Sequence, residues 1–340
     1  MQREPTIHDV ARRAGVSVAT VSRVLNGRGP VAEATRARVL AAVAELGYRP
    51  NAVARSLVRR RSCTVGVLVP DIANPFAAEL VRGMEAEAAA HGYHIVLACS
   101  ELSTTQEIRY IGLFRERQVD GLIYTSGTIT PELQEAFAEL GRPVVLAATT
   151  VTGPGPALPA VLVDSYAGAR LAMEHVLSLG HRRVACLIGS LQDPIAGLPR
   201  WQGYRDAAAA RGVEIPPEYV VDTGFRLEAA YEATARLLQL RPRPTAVVAA
   251  SDLMAIGAMG AAADRGLRVP EDLTVVGFDN IRIAAAVRPA LTTVAQPMHE
   301  IGARAISRLL QVLAGEQPGP LVEWIAPRLI VRGSSGPPPA

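Results

Sequence analysis

One stretch decides the fold of the amino-terminal part: residues 6–26, TIHDVARRAGVSVATVSRVLN. Apolar residues recur at helical spacing on both sides of Gly15, which interrupts the pattern. The first apolar face carries Ile7, Val10, Ala11 and Ala14, and the second carries Val16, Val21, Val24 and Leu25. Two short helices joined by a tight turn are therefore predicted, which is the helix-turn-helix arrangement that reads DNA.

Local signals mark the ends of these helices. Thr6 followed by Asp9 has the spacing of a capping box, and the hydroxyl of Ser17 can cap the second helix. A third helix is predicted over about residues 32–46, ending at Gly47, although Ala32 lacks a capping side chain. The three helices are expected to share one small core.

Positive charge is concentrated in the same part of the chain. Residues 1–61 hold 12 Arg and four acidic residues, a net charge of +8, whereas the remaining 23 Arg and 28 acidic residues give −5. Such a field suits a polyanionic partner, because phosphates that are neutralised release counterions and association is steered electrostatically. A basic segment that only improves solubility is the alternative.

The composition excludes several classes of protein. A chain of 340 residues with 49% hydrophobic and 4% aromatic residues fits an α/β protein of two or more domains. The three cysteines lack metal-site or disulfide spacing, so no metal and no cofactor is predicted. No apolar run approaches the roughly 20 residues of a membrane span, and no signal peptide is evident. We expect a cytoplasmic, nucleoid-associated protein with no membrane partner.

Beyond Ser62 the pattern changes to alternating strands and helices. Strands are predicted near residues 64–70, 94–98, 121–124, 144–147, 184–188, 246–249 and 273–278. Repeated βα units imply parallel sheets that are covered on both faces, and the Gly/Pro-rich residues 153–156 suggest a break between two lobes. The predicted fold class is multidomain: a small all-α helix-turn-helix head and a two-lobed α/β core.

Residues 6–57 resemble the DNA-binding head and hinge of the lactose and galactose repressor (LacI/GalR) family. The matching residues are DVA at 9–11, GVS at 15–17, TVSRV at 20–24, Asn26, LGY at 46–48 and PN at 50–51. The resemblance implies a head over residues 1–50, a hinge helix and linker over 51–61, and an effector-binding and dimerisation core over 62–340. For the first two helices alone, a generic helical hairpin is the alternative.

The core resembles the periplasmic sugar-binding fold that this family shares. The resemblance rests on DIANPF at 71–76, SDLMAIG at 251–257, GFDN at 277–280 and LTTVAQP at 291–297, among others. It implies three crossings of the chain between two interleaved lobes. The expected bounds are about 62–160 with 291–320 for the first lobe and 161–290 with 321–332 for the second.

In a head of this kind the second helix enters the major groove with its first residues facing the bases. Val18, Ala19 and Arg23 are then the base readers, because Arg pairs with guanine and small apolar groups contact thymine methyls. Backbone contacts are expected from Ser17, Thr20, Ser22 and Asn26, although helix capping would explain the hydroxyls as well. By resemblance, Ala54, Arg55 and Leu57 of the hinge helix lie in the minor groove, with Leu57 as the wedge.

Candidate effector residues in the core lie near the carboxyl ends of strands, where open α/β sheets place their ligands. The first group is Phe76, Arg200, Phe225, Asp252 and Asp279, and the second group is Asn74, Asp164 and Gln296. Carboxylates, an Arg and aromatic rings suit a sugar or polyol. For a single Asp at a strand end, a helix cap is the alternative.

Together these patterns predict a transcriptional repressor that binds a pseudo-palindromic operator in double-stranded DNA as a homodimer. A small molecule in the core cleft, a sugar or polyol, would control it allosterically. The alternative is a transport-type solute-binding protein, which would share the core but has no use for the head. The six histidines show neither metal-site spacing nor a nucleophile–base arrangement, so no enzymatic activity and no catalytic residue is predicted.

Overall fold

The computed structural model describes residues 5–26, 29–48, 61–152, 155–317 and 319–339. The chain divides into two compact units, Met1–Cys63 and Thr64–Ala340, which we call the head and the core. Within the described ranges, no helix combines the length and the apolar character that crossing a membrane requires.

The described part of the head contains three helices: α1 (Ile7–Ala14), α2 (Val18–Asn26) and α3 (Glu33–Leu46). The predicted capping box is confirmed, because the backbone N–H of Thr6 donates to the Asp9 carboxylate at 2.9 Å. Gly15 and Gly47 end α1 and α3 with φ of 63° and 61°, a conformation that favours glycine. The cap of α3, Ala32, makes no side-chain hydrogen bond, as the sequence indicates.

Each head helix contributes a fully buried valine to one small core. These valines are Val10, Val21 and Val39. Half-buried apolar side chains surround them, Val16 from the turn among them. The apolar spacing of residues 6–26 therefore predicts the packing of α1 against α2 as well as the two helices themselves.

The core alternates strands and helices over most of its length. Its strands are β1 (Thr64–Val69), β2 (His94–Cys99), β3 (Gly121–Tyr124), β4 (Val144–Ala147), β5 (Ala160–Val163), β6 (Val184–Ile188), β7 (Val220–Asp222), β8 (Ala246–Ala249), β9 (Thr274–Asp279), β10 (Thr292–Ala295), β11 (Val322–Ile325) and β12 (Arg328–Ile330). Its α-helices are α4 (Pro75–Ala90), α5 (Thr104–Glu116), α6 (Pro131–Leu140), α7 (Ser165–Ser178), α8 (Gly197–Ala210), α9 (Leu227–Leu237), α10 (Asp252–Ala263) and α11 (Met298–Ala314).

The strands described in the core form two six-stranded sheets. The first sheet has the order β11-β5-β4-β3-β1-β2, and the second has the order β12-β10-β9-β8-β6-β7. All neighbours in the first sheet are parallel, and in the second only β12 runs antiparallel to its neighbour β10. The central strands are fully buried, as expected for parallel sheets covered on both faces.

The described chain passes between the two sheets three times, as the resemblance to the periplasmic sugar-binding fold implies: after β5, after β10 and between β11 and β12. The predicted lobe bounds are wrong at three places. Strands β5 and β11 belong to the first sheet, where they pair with each other, and β10 pairs with β9 in the second sheet. The short strand β11 does not encode which sheet it joins, because its partner β5 is distant in the sequence.

Helices α4 and α11 of the first lobe approach each other through glycines. A Cβ added to Gly83 would lie 2.0 Å from the carbonyl oxygen of His299. On the other side of the contact, a Cβ on Gly302 would lie 2.1 Å from the carbonyl oxygen of Leu80. The helix that returns from the second lobe can therefore dock only where neither residue carries a side chain.

We predict that Gly83→Ala lowers the free energy of unfolding by about 1–3 kcal/mol, because the methyl group forces the two helices apart. Gly112→Ala in α5 is the matched control, because a Cβ at Gly112 meets no atom within 4 Å. That control should raise stability by about 0.5–1 kcal/mol, since alanine is the better helix former. Urea unfolding of both full-length variants measures the difference, and equal effects would contradict the argument.

Candidate functional site

The exposed surface of α2 carries two of the three predicted base readers. Ala19 and Arg23 are exposed and lie four residues apart, on the same side of the helix. Val18 is half-buried and packs against the head core, so part of its side chain holds α2 in place. A small apolar residue and an Arg on one exposed face provide a methyl contact and a paired donor for base edges.

The hydroxyls at the start of α2 have a capping role. The backbone N–H of Thr20 donates to the Ser17 hydroxyl at 3.2 Å, and the two hydroxyls lie 2.9 Å apart. Their oxygens remain at the exposed helix start, so the predicted phosphate contacts stay predictions, as does the contact from half-buried Ser22. The side chain of Asn26 and the hinge residues Ala54, Arg55 and Leu57 lie outside the described residues.

A cavity of about 530 Å³ lies between the two lobes of the core, at the carboxyl ends of both sheets. Its walls come from loops that follow strands of either lobe, which is where parallel sheets place ligands. Six of the predicted effector residues line it: Phe76, Arg200, Phe225, Asp279, Asn74 and Gln296.

Arg200, on α8, is the positive charge of the cleft, and it is only 5% exposed. Its guanidinium carbon lies 3.8 Å from the centre of the Phe278 ring, close enough for a cation–π contact. One terminal nitrogen donates to the carbonyl oxygen of Ala250 and lies 3.9 Å from an Asp279 carboxylate oxygen. The Nε–H is buried and has no partner among the described residues. Arg200 is also one of the residues that line the cavity.

Asp279 ends β9 in a backbone conformation with φ of 118°, which is unusual for a residue with a side chain. Its carboxylate accepts a hydrogen bond from the Gln296 amide nitrogen at 2.7 Å. Burial raises the pKa of Asp279 above its ordinary value, and the charge of Arg200 and the Gln296 hydrogen bond oppose that rise. The residue is a buried acceptor that is held in place from both sides.

Asp252 does not line the cavity, which contradicts the prediction that it is an effector-binding residue. Its side chain is fully buried and accepts hydrogen bonds from the Ile281 backbone N–H at 2.8 Å and from the Thr293 hydroxyl at 2.5 Å. Burial raises the pKa of Asp252, and the nearby charge of Asp279 raises it further. This carboxylate fixes the loop that carries Asp279.

Asp164, also predicted as an effector residue, does not line the cavity and is instead a helix cap. Its carboxylate accepts from the backbone N–H of Ala167 at 2.8 Å, at the start of α7. Asn74 caps α4 in the same way, through the Phe76 N–H at 3.0 Å, but it also lines the cavity. Helix capping therefore accounts for Asp164, whereas Asn74 both caps a helix and lines the cavity.

Strained backbone is concentrated around the cleft. Besides Asp279, four non-glycine residues that line the cavity have left-handed backbone conformations. They are Glu101 (φ 53°), Leu102 (φ 59°), Ala148 (φ 56°) and Phe225 (φ 60°). Such conformations cost about 1–3 kcal/mol each and persist where surrounding contacts enforce them. The cleft is therefore shaped by the packing of both lobes.

None of the hydroxyl residues in the cavity wall is among the predicted effector residues. Thr125 and Ser126 follow β3 directly, Thr149 follows β4 closely, and Ser251 follows β8 by two residues. The rule that selected Asp279, a polar residue at the carboxyl end of a strand, would have selected these too. The wall thus combines hydroxyls, one Arg, four carboxylates and two aromatic rings, a set that binds hydroxyl-bearing molecules without covalent chemistry.

Two family profiles match the chain. The profile described as bacterial regulatory proteins, lacI family, matches residues 6–51. The profile described as periplasmic binding protein-like domain matches residues 173–335.

Similar proteins match over nearly the whole length. Catabolite control protein A of Priestia megaterium is 41% identical over 311 residues, which are 92% of this chain and 93% of that relative. The solved complex of the transcriptional regulator CelR with cellobiose is 35% identical, with a TM-score of 0.74 over 97% of this chain and 99% of that one. The lac repressor dimer bound to operator and the anti-inducer ONPF is 28% identical, with a TM-score of 0.87 over 98% and 100%.

Proposed function

The chain belongs to the lacI family of bacterial regulatory proteins and is a DNA-binding regulator of transcription; we propose that it represses through a pseudo-palindromic operator as a homodimer. A sugar or polyol in the cleft would control its affinity for the operator. One observation carries this proposal: a single chain joins a helix-turn-helix head to a two-lobed core with a polar cleft. An effector that binds the two states of the core unequally shifts the DNA affinity by that difference.

The chemistry of the cleft supports a sugar or polyol as the effector class. Asp279 accepts from ligand hydroxyls, Arg200 donates to ligand oxygens, and Phe76 and Phe225 offer apolar faces for a ring. A volume of about 530 Å³ is within the range of small-molecule sites and has room for one or two sugar rings. The CelR relative, solved with cellobiose, makes that disaccharide a suitable first probe.

An exposed apolar surface on the first lobe supports a homodimer. Strand β2 is an edge strand, and its residues Val96 and Leu97 are 43% and 36% exposed. Ile108 and Leu113 of α5 and Leu102 before it are exposed as well. An exposed apolar edge strand is a site where another chain can pair, so we propose that a second copy of this chain covers it. The solved lac repressor relative is a dimer.

The transport-type alternative is not favoured. A solute-binding protein shares the two lobes and the cleft, but a helix-turn-helix head serves no purpose in transport. The CelR relative, which matches 97% of this chain, is a transcriptional regulator.

We predict that Val96→Glu makes the protein monomeric, because two copies would bring like charges together at a desolvated edge. Val331→Glu is the matched control, since Val331 is 59% exposed and lies in the second lobe. Sedimentation velocity should show a dimer for the wild type and the control and a monomer for Val96→Glu. A monomeric wild type, or a dimeric Val96→Glu, would refute the proposed interface.

Arg23→Ala should relax the sequence preference of the full-length protein by about 1–3 kcal/mol at one base pair of each half-site, because a paired contact to guanine is lost. Arg38→Ala is the control, since Arg38 is exposed on α3 and the variant loses the same charge. Selection from random duplexes identifies the sites, and competition binding against mutated sites measures the preference. If the wild type selects no sequence at low salt, the regulator assignment itself fails. If both variants keep the wild-type preference, only the role of Arg23 is wrong.

Asp279→Asn should weaken effector binding about 10- to 100-fold while leaving operator binding unchanged, because a charged acceptor becomes neutral. The matched control is Asp222→Asn, which changes an exposed carboxylate outside the cavity. Thermal shift with cellobiose, other neutral sugars and polyols identifies the ligand, and calorimetry measures its affinity. An unchanged affinity for the identified sugar in Asp279→Asn would place the site elsewhere.

A further inference from the structure

A buried carboxylate lies behind the first-lobe wall of the cleft. Glu107, on α5, is only 3% exposed, and both of its carboxylate oxygens accept hydrogen bonds. The Ser100 hydroxyl donates to one at 3.1 Å, and the Tyr124 hydroxyl donates to the other at 3.0 Å. A buried charge held by two hydroxyl donors fixes where their hydrogens point.

This constraint extends to Ser126, which lines the cleft. The Ser100 and Ser126 hydroxyl oxygens are 3.2 Å apart, so either could donate to the other on geometry alone. Because a serine hydroxyl has one hydrogen and Ser100 uses its own on Glu107, Ser126 is the donor of this bond. The Ser126 oxygen therefore has only lone pairs left for a molecule in the cleft.

The hydroxyl hydrogens of two threonines near Ser126 are also used in hydrogen bonds within the first lobe. The Thr125 hydroxyl donates to the carbonyl oxygen of Leu68 at 3.2 Å, and the Thr149 hydroxyl donates to that of Gly127 at 3.2 Å. A carbonyl oxygen can only accept, so both hydrogens are used within the first lobe. Thr125, Ser126 and Thr149, which we call the acceptor wall, all line the cavity.

The donor role of Tyr124 is secure over the ordinary pH range. Burial raises the pKa of the Tyr124 hydroxyl, and the charge of Glu107 raises it further, while the Ser126 hydroxyl opposes the rise. A tyrosine that keeps its hydrogen continues to donate to Glu107. The second lobe offers both kinds of partner, because Asp279 lines the cavity as an acceptor and Arg200 lines it as a donor.

We propose that the acceptor wall gives the first-lobe side of the cleft a fixed hydrogen-bond direction, so that it takes a ligand whose first-lobe end donates hydrogen bonds. This inference rests on the proposed effector site and sharpens it. A hydroxyl or amino group satisfies the first-lobe end. An ether, a fluorine, a carboxylate or a phosphate at that end leaves the wall oxygens facing another acceptor. Glu107 acts as a positioning residue, since it sets the hydrogen direction without touching the ligand.

The probes are cellobiose, D-glucose and D-ribose, with their monodeoxy and monodeoxyfluoro derivatives, titrated into the full-length protein by calorimetry. A deoxy derivative removes both donor and acceptor, whereas fluorine removes only the donor. At the position that faces the wall, both derivatives should bind about tenfold more weakly than the parent sugar, because the lost hydrogen bond is a donation. If the fluoro derivative binds as well as its parent at every position, the proposed direction is wrong.

Glu107→Gln tests the direction without changing the size of the side chain. The Gln oxygen can accept from Tyr124 while its NH₂ donates to Ser100, which frees the Ser100 hydrogen for Ser126 and turns the Ser126 hydrogen toward the cleft. The variant should bind the fluoro derivative more tightly than the deoxy derivative, a preference that the wild type lacks. Glu116→Gln, an exposed change on the same helix, is the control and should behave like the wild type.

Ser126→Ala is a second test of the same hydrogen bond, for use if Glu107→Gln fails to fold. It should bind the parent sugar about tenfold more weakly and make the parent and the deoxy derivative equal, because both partners of the bond are then absent. Wild-type affinities in Ser126→Ala overturn the inference. If none of the parent sugars binds a wild type that still binds DNA, the proposed sugar effector fails and this inference fails with it. If a parent sugar binds but the derivatives show no such pattern, only the acceptor wall is wrong.

Discussion

The geometry of the cleft depends on the buried carboxylate of Asp252. It binds the backbone of Ile281 and the hydroxyl of Thr293, and so holds the loop after β9 against β10. The fit is tight, because a Cβ on Gly277 would lie 2.3 Å from an Asp252 oxygen. Asp279 is held in its strained conformation by these contacts and can then face Arg200 and Gln296. Since an unpaired buried carboxylate is costly, the loop and the carboxylate stabilise each other.

The same region links ligand binding to the relative position of the lobes. Gln296, which donates to Asp279, is the first residue after β10, where the chain leaves the second sheet for α11. On the outside of the cleft, Arg282 of the second lobe forms an ion pair with Glu79 of α4 at 2.7 Å. Arg282 is largely exposed, so this pair contributes little stability and can open when the lobes move. A ligand that holds Asp279 and the first-lobe wall together thus acts directly on a crossing segment.

The two lobes contribute different chemistry to the cleft. The first lobe offers hydroxyl oxygens whose hydrogens are used inside the lobe, whereas the second offers both a buried cation, Arg200, and a buried carboxylate, Asp279. This contrast arises from residues outside the cavity, above all Glu107 behind its wall. A description of the cavity surface by residue type alone would treat Ser126 as an equal donor and acceptor. The hydrogen-bond chain behind it removes that choice.

The sequence by itself determined the head helices, most core strands, and the cavity residues Phe76, Arg200, Phe225 and Asp279, because helical spacing, capping and strand-end position are local properties. Only the tertiary structure decided that β5 and β11 pair in the first sheet and that β10 joins the second. It also decided that Asp252 and Asp164 serve the fold, whereas Ser126 faces the cleft. An Asp or Ser at a strand end has the same local pattern in either role. For Asp252 the groups that satisfy its hydrogen bonds come from residues 29 and 41 positions away along the chain, so its role is settled only when those groups are brought together.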